Sequence, residues 1–190
     1  MRRTGVELGL VLPTGHRVRK TPGRRPASIG RVTRRTIDEL GDLLERPYCA
    51  VLATYREDGS VLLSPVWHEW RDGGFNIGVP DDDIKVRHLE RDPRASVAVF
   101  DHSWPARGVE VRGVARISKE GRDELTRRLS IRYLGPKNGN KYADSVSPGL
   151  VVRVEPGAIR AWDFVDEIAP DPEVPVFPGL GRSTLTSSGG

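Results

Sequence analysis

The sequence predicts a mainly β protein: an antiparallel barrel of about six strands with a few short helices. Three observations carry this. Short apolar runs, several of them strictly alternating, recur between residues 49 and 163. Gly-bearing turns at Glu57-Asp58-Gly59 and Asp72-Gly73-Gly74 join consecutive runs, and such turns make neighbours antiparallel. Helical stretches are few, so the strands must bury their apolar faces against one another, and closure into a barrel removes exposed edges.

Taken in order, Thr36 can cap a helix with Glu39 three residues on, which is capping-box spacing. That helix is expected to run to about Glu45, because Pro47 pushes Arg46 out of the α region. Cys49 to Tyr55 is a strand, and Ser60 to Glu69 its partner across the first turn. Phe75, Ile77 and Val79 alternate beyond the second turn. Asp83 can cap a short helix with Lys85 and His88 outward and Ile84 and Leu89 inward, ended by Asp92-Pro93. Ala95 to Phe100 and Val109 to Ser118 are strands, Glu120 to Tyr133 a helix with Leu125, Leu129 and Ile131 inward, and Gly135 to Ser147 a loop. Leu150 to Val154 and Ala158 to Asp163 complete the sheet.

Composition sets the frame. The 190 residues suit one domain with terminal extensions: a basic stretch 1–35, a β domain 36–168 and a Pro-, Gly- and Ser-rich tail 169–190. The first 35 residues hold ten basic side chains against one acid, Glu7, so the rest of this +4 chain is net acidic. Such an arm can bind polyanions, but it has no aromatic side chain to stack on a base, so it reads as a disordered extension rather than a nucleic-acid module. The single cysteine, Cys49, excludes an internal disulfide and reads as a small core residue. No apolar run reaches membrane-spanning length, so a soluble, cytoplasmic protein is expected.

Several chemistries lack their motifs. There is no GxGxxG, no GxxxxGK[ST], no HExxH and no GxSxG, and four scattered histidines with one cysteine make a poor zinc set. What stands out is the run from Ser64 to Val97: strand, turn, strand, a lysine-bearing helical turn, strand. Lys85 near the start of its helix offers a cation beside free backbone N–H groups, suited to phosphate, or else a surface ion pair with Asp81, Asp82 or Asp83. His88 is either a hydrogen-bonding and proton-transferring group or a surface residue. Alternation puts Val66 and His68 on one face and Trp67 on the other. Trp67 then reads as barrel core, and His68 as a pocket group or a solvent-facing one. Arg112 and Arg116 share a strand face that reads as exposed.

The ordered set LLERPYCAVLATYREDGSVLLSPVWHEW, IKVRHLERDPRASV, VEVRGVARI and VVRVEPGAIRAWDF, spanning Leu43 to Phe164, resembles the pyridoxamine-phosphate-oxidase-like superfamily of split β-barrels. Its lysine stretch is most similar to the branch that uses the deazaflavin coenzyme F-420. The resemblance implies an FMN-binding-type split barrel, a homodimer with cofactor at the interface, and an oxidoreductase that moves hydride to an unsaturated or quinone-like small molecule. It implies that Lys85 reaches the cofactor phosphate with help from Arg87 and His88. Thr54, Ser64, Pro65, Val66 and Trp67 would border the ring, His68 or His88 would be candidate proton donors, and no metal is called for. Trp162 matches the family's terminal aromatic, as ring neighbour or core residue. FMN is the alternative cofactor. A non-catalytic carrier of flavin, deazaflavin or haem is the alternative function. The family commonly has Ser, Thr or Arg where Asp83 stands, so the acidic run departs from the pattern.

Overall fold

The computed structural model describes residues 35–102 and 106–164. The basic stretch, Arg35 apart, and the expected tail lie outside the described residues. Seven strands form one antiparallel sheet: β1 (Ala50–Tyr55), β2 (Val61–Val66), β3 (His68–Arg71), β4 (Gly74–Val79), β5 (Arg94–Phe100), β6 (Arg107–Ser118) and β7 (Leu150–Asp163). Their order is β2-β1-β5-β6-β7-β4-β3. The edge strands β2 and β3 are separated in sequence by Trp67 alone, so the sheet must curl until its two edges meet at that residue. Each edge strand pairs on one side only, so the barrel is split, as the resemblance implies.

The sheet has seven strands where about six are expected, and the strand bounds differ in two places. The run Ser60 to Glu69 breaks at Trp67, where the chain crosses from one edge to the other. The last two expected strands are one, because β7 follows β6 from Arg107↔Asp163 to Ser118↔Val151 and absorbs Pro156-Gly157 as a bulge opposite Arg112 and Gly113. A Cβ on Gly113 would stand 1.8 Å from the Glu155 carbonyl oxygen, so only glycine lets the strands approach there.

The core lies inside the curl. Leu52, Phe75, Ile77, Val97, Val111 and Val152 are fully buried, each on the inward parity of its strand. The same parity corrects the reading of Cys49: Ala50 points in, so Cys49 points out and is exposed. The opening segment is a 3₁₀ helix, Asp38–Leu44, and not the α-helix expected, because Gly41 leaves helical backbone at φ 57°. The Thr36–Glu39 contact is present, with Thr36 N–H and Oγ1 donating to the Glu39 carboxylate at 2.6 and 3.0 Å.

That segment is clasped to β6 by Arg107. Its guanidinium, buried to 6% exposure, donates to the Leu40 carbonyl, to Asp42 and, at 3.5 Å, to Asp101. Asp101 also accepts from Tyr48 Oη at 3.1 Å, and Asp42 accepts from Arg46 at 2.8 Å. Burial pushes the Asp42 carboxyl up, but Arg46 and Arg107 outweigh it and hold it below the usual carboxylate range.

Between β6 and β7, α2 (Arg122–Ser145) runs well past the expected end at Tyr133 and doubles back at Gly135. Arg127 meets Asp144 at 2.7 Å, which a straight helix would hold about 25 Å apart. Leu125 and Leu129 are buried as expected, and Ile131 is half-buried. In α1 (Ile84–Arg91), the buried arc runs from Val86 through Leu89 to His88, which leaves Ile84 and Arg87 outside. Ile84 and His88 therefore exchange the sides expected for them.

Two outcomes follow. Arg107→Met takes the guanidinium away from the buried Asp101 carboxylate, from Asp42 and from the Leu40 carbonyl, and should cost about 3–5 kcal/mol, read as a lower urea midpoint. Gly113→Ala should cost about 2 kcal/mol or more through forced separation of β6 and β7, with lost amide-exchange protection confined to that strand pair.

Candidate functional site

The corner at Trp67 is built from aromatic side chains. Trp67 stacks on Tyr133 with centroids 4.9 Å apart and planes within 5°, and Tyr142 meets it edge-on at 5.8 Å. Tyr133 Oη donates to the Tyr48 carbonyl at 2.8 Å and accepts from the His68 N–H at 3.1 Å. Trp67 is thus held flat, half-buried, at the wall of a cleft instead of in the barrel core.

The cleft encloses about 350 Å³. Pro65, Val66 and Trp67 form one wall, Gly78, Val79 and Pro80 at the end of β4 another, and Thr126, Leu129, Ser130 and Tyr142 of α2 the cover. Asp83 and Lys85 stand at the start of α1, where the cleft meets that helix. Asp83 caps α1 as expected, with Oδ1 accepting from the Lys85 N–H at 2.8 Å. Its other oxygen, Oδ2, accepts from Lys85 Nζ at 2.6 Å. Burial pushes the Asp83 carboxyl up, but its bonds to Lys85 outweigh burial and hold it below the ordinary value, so it is ionised at neutral pH.

Of the residues singled out in the sequence, Pro65, Val66, Trp67 and Lys85 come together in this cleft. The others do not line it. Ser64 is half-buried opposite Leu52, and Arg87 is exposed on the outer side of α1. Thr54 and His88 are buried together under α1, with Thr54 Oγ1 and His88 Nδ1 3.1 Å apart. Burial first, then Arg91, Arg56 and Arg87, push His88 below its ordinary value, so it is neutral at pH 7. His68 is fully buried, edge-on to Phe75 at 5.2 Å, and neither ring nitrogen has a hydrogen-bond partner. It is therefore neither a cleft group nor a solvent-facing one. Burial, reinforced by the Arg132 cation, lowers its pKa from 6.5 to about 4.

Trp162 covers Gly108, close enough that a Cβ there would meet its ring at 2.3 Å, and Arg160 lies over its indole at 5.5 Å. Arg112 and Arg116 are exposed, as expected. Leu129 is legible as an inward helix position, but the cleft residues from Tyr142 to Gly149 are not, because the stretch 135–147 is Gly- and Lys-rich without an apolar stripe. Only Tyr142, an aromatic in a polar run, signals them. Among the described residues no cluster could hold a metal ion, and no helix is long and apolar enough to cross a membrane.

The family model for pyridoxamine 5'-phosphate oxidase matches residues 36–163. The chain belongs to that family. Among solved structures, it is similar to a conserved hypothetical protein, Rv2991, of Mycobacterium tuberculosis at 27% identity, covering 80% of this chain and 96% of that one with a TM-score of 0.64. A protein named F-420 reductase matches at 27% identity over 62% of this chain and 93% of its own, with a TM-score of 0.52. An FAD-binding protein of Mesorhizobium loti, at 18% identity, TM-score 0.53 and coverage of 70% and 97%, shares the fold. No protein of curated function matches the chain in sequence.

The cleft fits a flavin-type group in chemistry: an apolar strand wall with a fixed indole for a planar ring, and a lysine for an anion. The one discordant group is Asp83, which already holds that lysine.

His68 sets a pH limit on the fold. Its folded pKa lies below the unfolded 6.5, so the unfolded chain binds the extra proton, and stability present above pH 6.5 is lost as pH falls toward about 4. The loss should total about 3 kcal/mol. His68→Leu should abolish that part of the slope in urea midpoints compared between pH 7.5 and pH 4.5.

Proposed function

We propose that this protein is an oxidoreductase that binds the deazaflavin coenzyme F-420 in the Trp67 cleft and reduces an unsaturated or quinone-like small molecule. The observation that carries the reading is the convergence of Lys85 with the Pro65–Trp67 wall in one cleft. The identity to a protein named F-420 reductase supports the deazaflavin over FMN. When bound, the deazaflavin supplies hydride transfer.

The chain's own part is binding and orientation. Lys85 holds the phosphate at the start of α1, and the Pro65–Trp67 wall sets the plane of the ring. Trp67 is fixed by Tyr133 and so loses little freedom on binding. Leu129 and Tyr142 of α2 exclude water from the covered side. Neither His68 nor His88 lines the cleft and both are neutral at pH 7, so the proton that completes reduction comes from water or from the cleft hydroxyls of Thr126, Ser130, Tyr142 and Ser147. A second reading is a family member that binds its cofactor without turnover; among the described residues no histidine lines the cleft.

The partner proposed is a second copy of the chain. The outer face of β1, β2 and β5 exposes Val61, Leu63 and Pro65 along β2 and Phe100 at the end of β5, and Pro65 carries this apolar row into the cleft wall. A homodimer formed there would bring a second surface to the cofactor site.

Titration of the purified protein with oxidised coenzyme F-420 and with FMN, followed by fluorescence, tests the reading. F-420 should bind more tightly than FMN, and Lys85→Ala should weaken binding about tenfold to a hundredfold. Failure of both to bind would sink it. Binding without turnover of any acceptor would select the carrier.

A further inference from the structure

The place where an anion would bind is already held by an anion of the chain itself. A phosphate at the start of α1 would draw on two groups, the free backbone amide of the first turn and the Lys85 ammonium. Asp83 uses both: Oδ1 on the Lys85 N–H at 2.8 Å and Oδ2 on Lys85 Nζ at 2.6 Å. The pair is largely withdrawn from water, with side-chain exposures of 14% for Lys85 and 17% for Asp83, so it is weakly screened. Asp81 and Asp82, on the turn just before, are exposed and add to the negative field. The nearest arginine on this helix, Arg87, stands on the outer side and does not line the cleft, and Arg91 is turned to the Tyr55 carbonyl.

The consequence is a rule about charge. Lys85 and Asp83 sum to zero, so every negative charge brought to Lys85 is added to a site with no net positive charge. A phosphodiester brings one such charge. A phosphomonoester, whose second pKa is near 6, brings almost two at pH 7. A monoanion can share Lys85 with Asp83, one oxygen each, since an ammonium has three donors. A dianion must displace the carboxylate or accept its repulsion at close range in a poorly screened site.

We propose that Asp83 is a specificity-determining residue that sets this cleft to accept a phosphodiester monoanion and to disfavour a phosphomonoester dianion. The inference rests on the reading of the cleft as the cofactor site and deepens it. At the phosphate itself it favours a deazaflavin, whose phosphate is a diester, over FMN, whose phosphate is a monoester; the oligoglutamyl carboxylates of a deazaflavin bring further charge and count against it wherever they approach Asp81 and Asp82.

Three flavins that share a ring and ribityl chain and bring no, one or almost two phosphate charges test the effect: riboflavin, the methyl ester of FMN, and FMN. Their affinities are measured by quenching of flavin fluorescence on the full chain and on Asp83→Asn. Asparagine still caps α1, because its amide oxygen accepts from the Lys85 N–H, but it carries no charge. Asp83→Ser is a second capping variant, and circular dichroism confirms that both fold.

In the wild type the methyl ester should bind more tightly than FMN. In Asp83→Asn, FMN should gain about tenfold relative to the methyl ester, while riboflavin is unchanged. An FMN-to-ester ratio that is the same in wild type and both variants would overturn the role of Asp83 and leave the cofactor site standing. If none of the three flavins and no coenzyme F-420 bound either wild type or variants, the cofactor site and the inference would fall together.

Discussion

One hydroxyl group ties the approach to β1 to the start of β3 across the split of this barrel. The strands β2 and β3 belong to opposite edges of the sheet and share no ladder, so main-chain hydrogen bonding does not hold them in register. Tyr133 Oη stands in for it, donating to the Tyr48 carbonyl ahead of β1 and accepting from the His68 amide that opens β3. The same ring carries Trp67 on its face. Fixing the split and flattening the cleft wall are thus one act, and the element that performs it, α2, is also the cleft's cover. Arg132, next in the chain, extends the tie by donating to the Leu44 and Arg46 carbonyls.

Much of the barrel was legible because its strands are short, alternating and punctuated by glycine. The turn at Asp72-Gly73-Gly74, the cap at Asp83 and the lysine in the first turn of α1 are local features, and local features survive translation from sequence to structure. What failed was long-range. In sequence His88 reads outward, because polar residues on short helices usually are. Nothing near it in sequence shows that Thr54, 34 positions away, meets it from β1. His68 follows strand parity as far as its direction, but parity does not say whether an inward position reaches a cavity or only Phe75.

The cover of the cleft was the least legible part. Residues 135–147 contain Gly135, Pro136 and Gly139, each a helix breaker by propensity, and they were read as loop. Here they make a helical hairpin work. Gly135 turns the chain with a positive φ, and Gly139 lets the returning arm press on the backbone of Ile131, where a Cβ would come within 2.5 Å. Tertiary packing, rather than propensity, decides that segment.

The position of α2 has an evolutionary reach as well. It leaves β6 after Ser118 and rejoins β7 at Leu150, and Ser118 stands directly opposite Val151 in the ladder. The excursion therefore starts and finishes at one spot, like a module plugged into a socket. Loop-closure entropy rises only slowly with length, so insertions or deletions in this module leave the longest strand pair of the barrel intact. Beyond the turn that carries Tyr133, the strands and the cover of the cleft can change at different rates, and a lineage built on this plan can reshape the cleft by rewriting a few turns of helix.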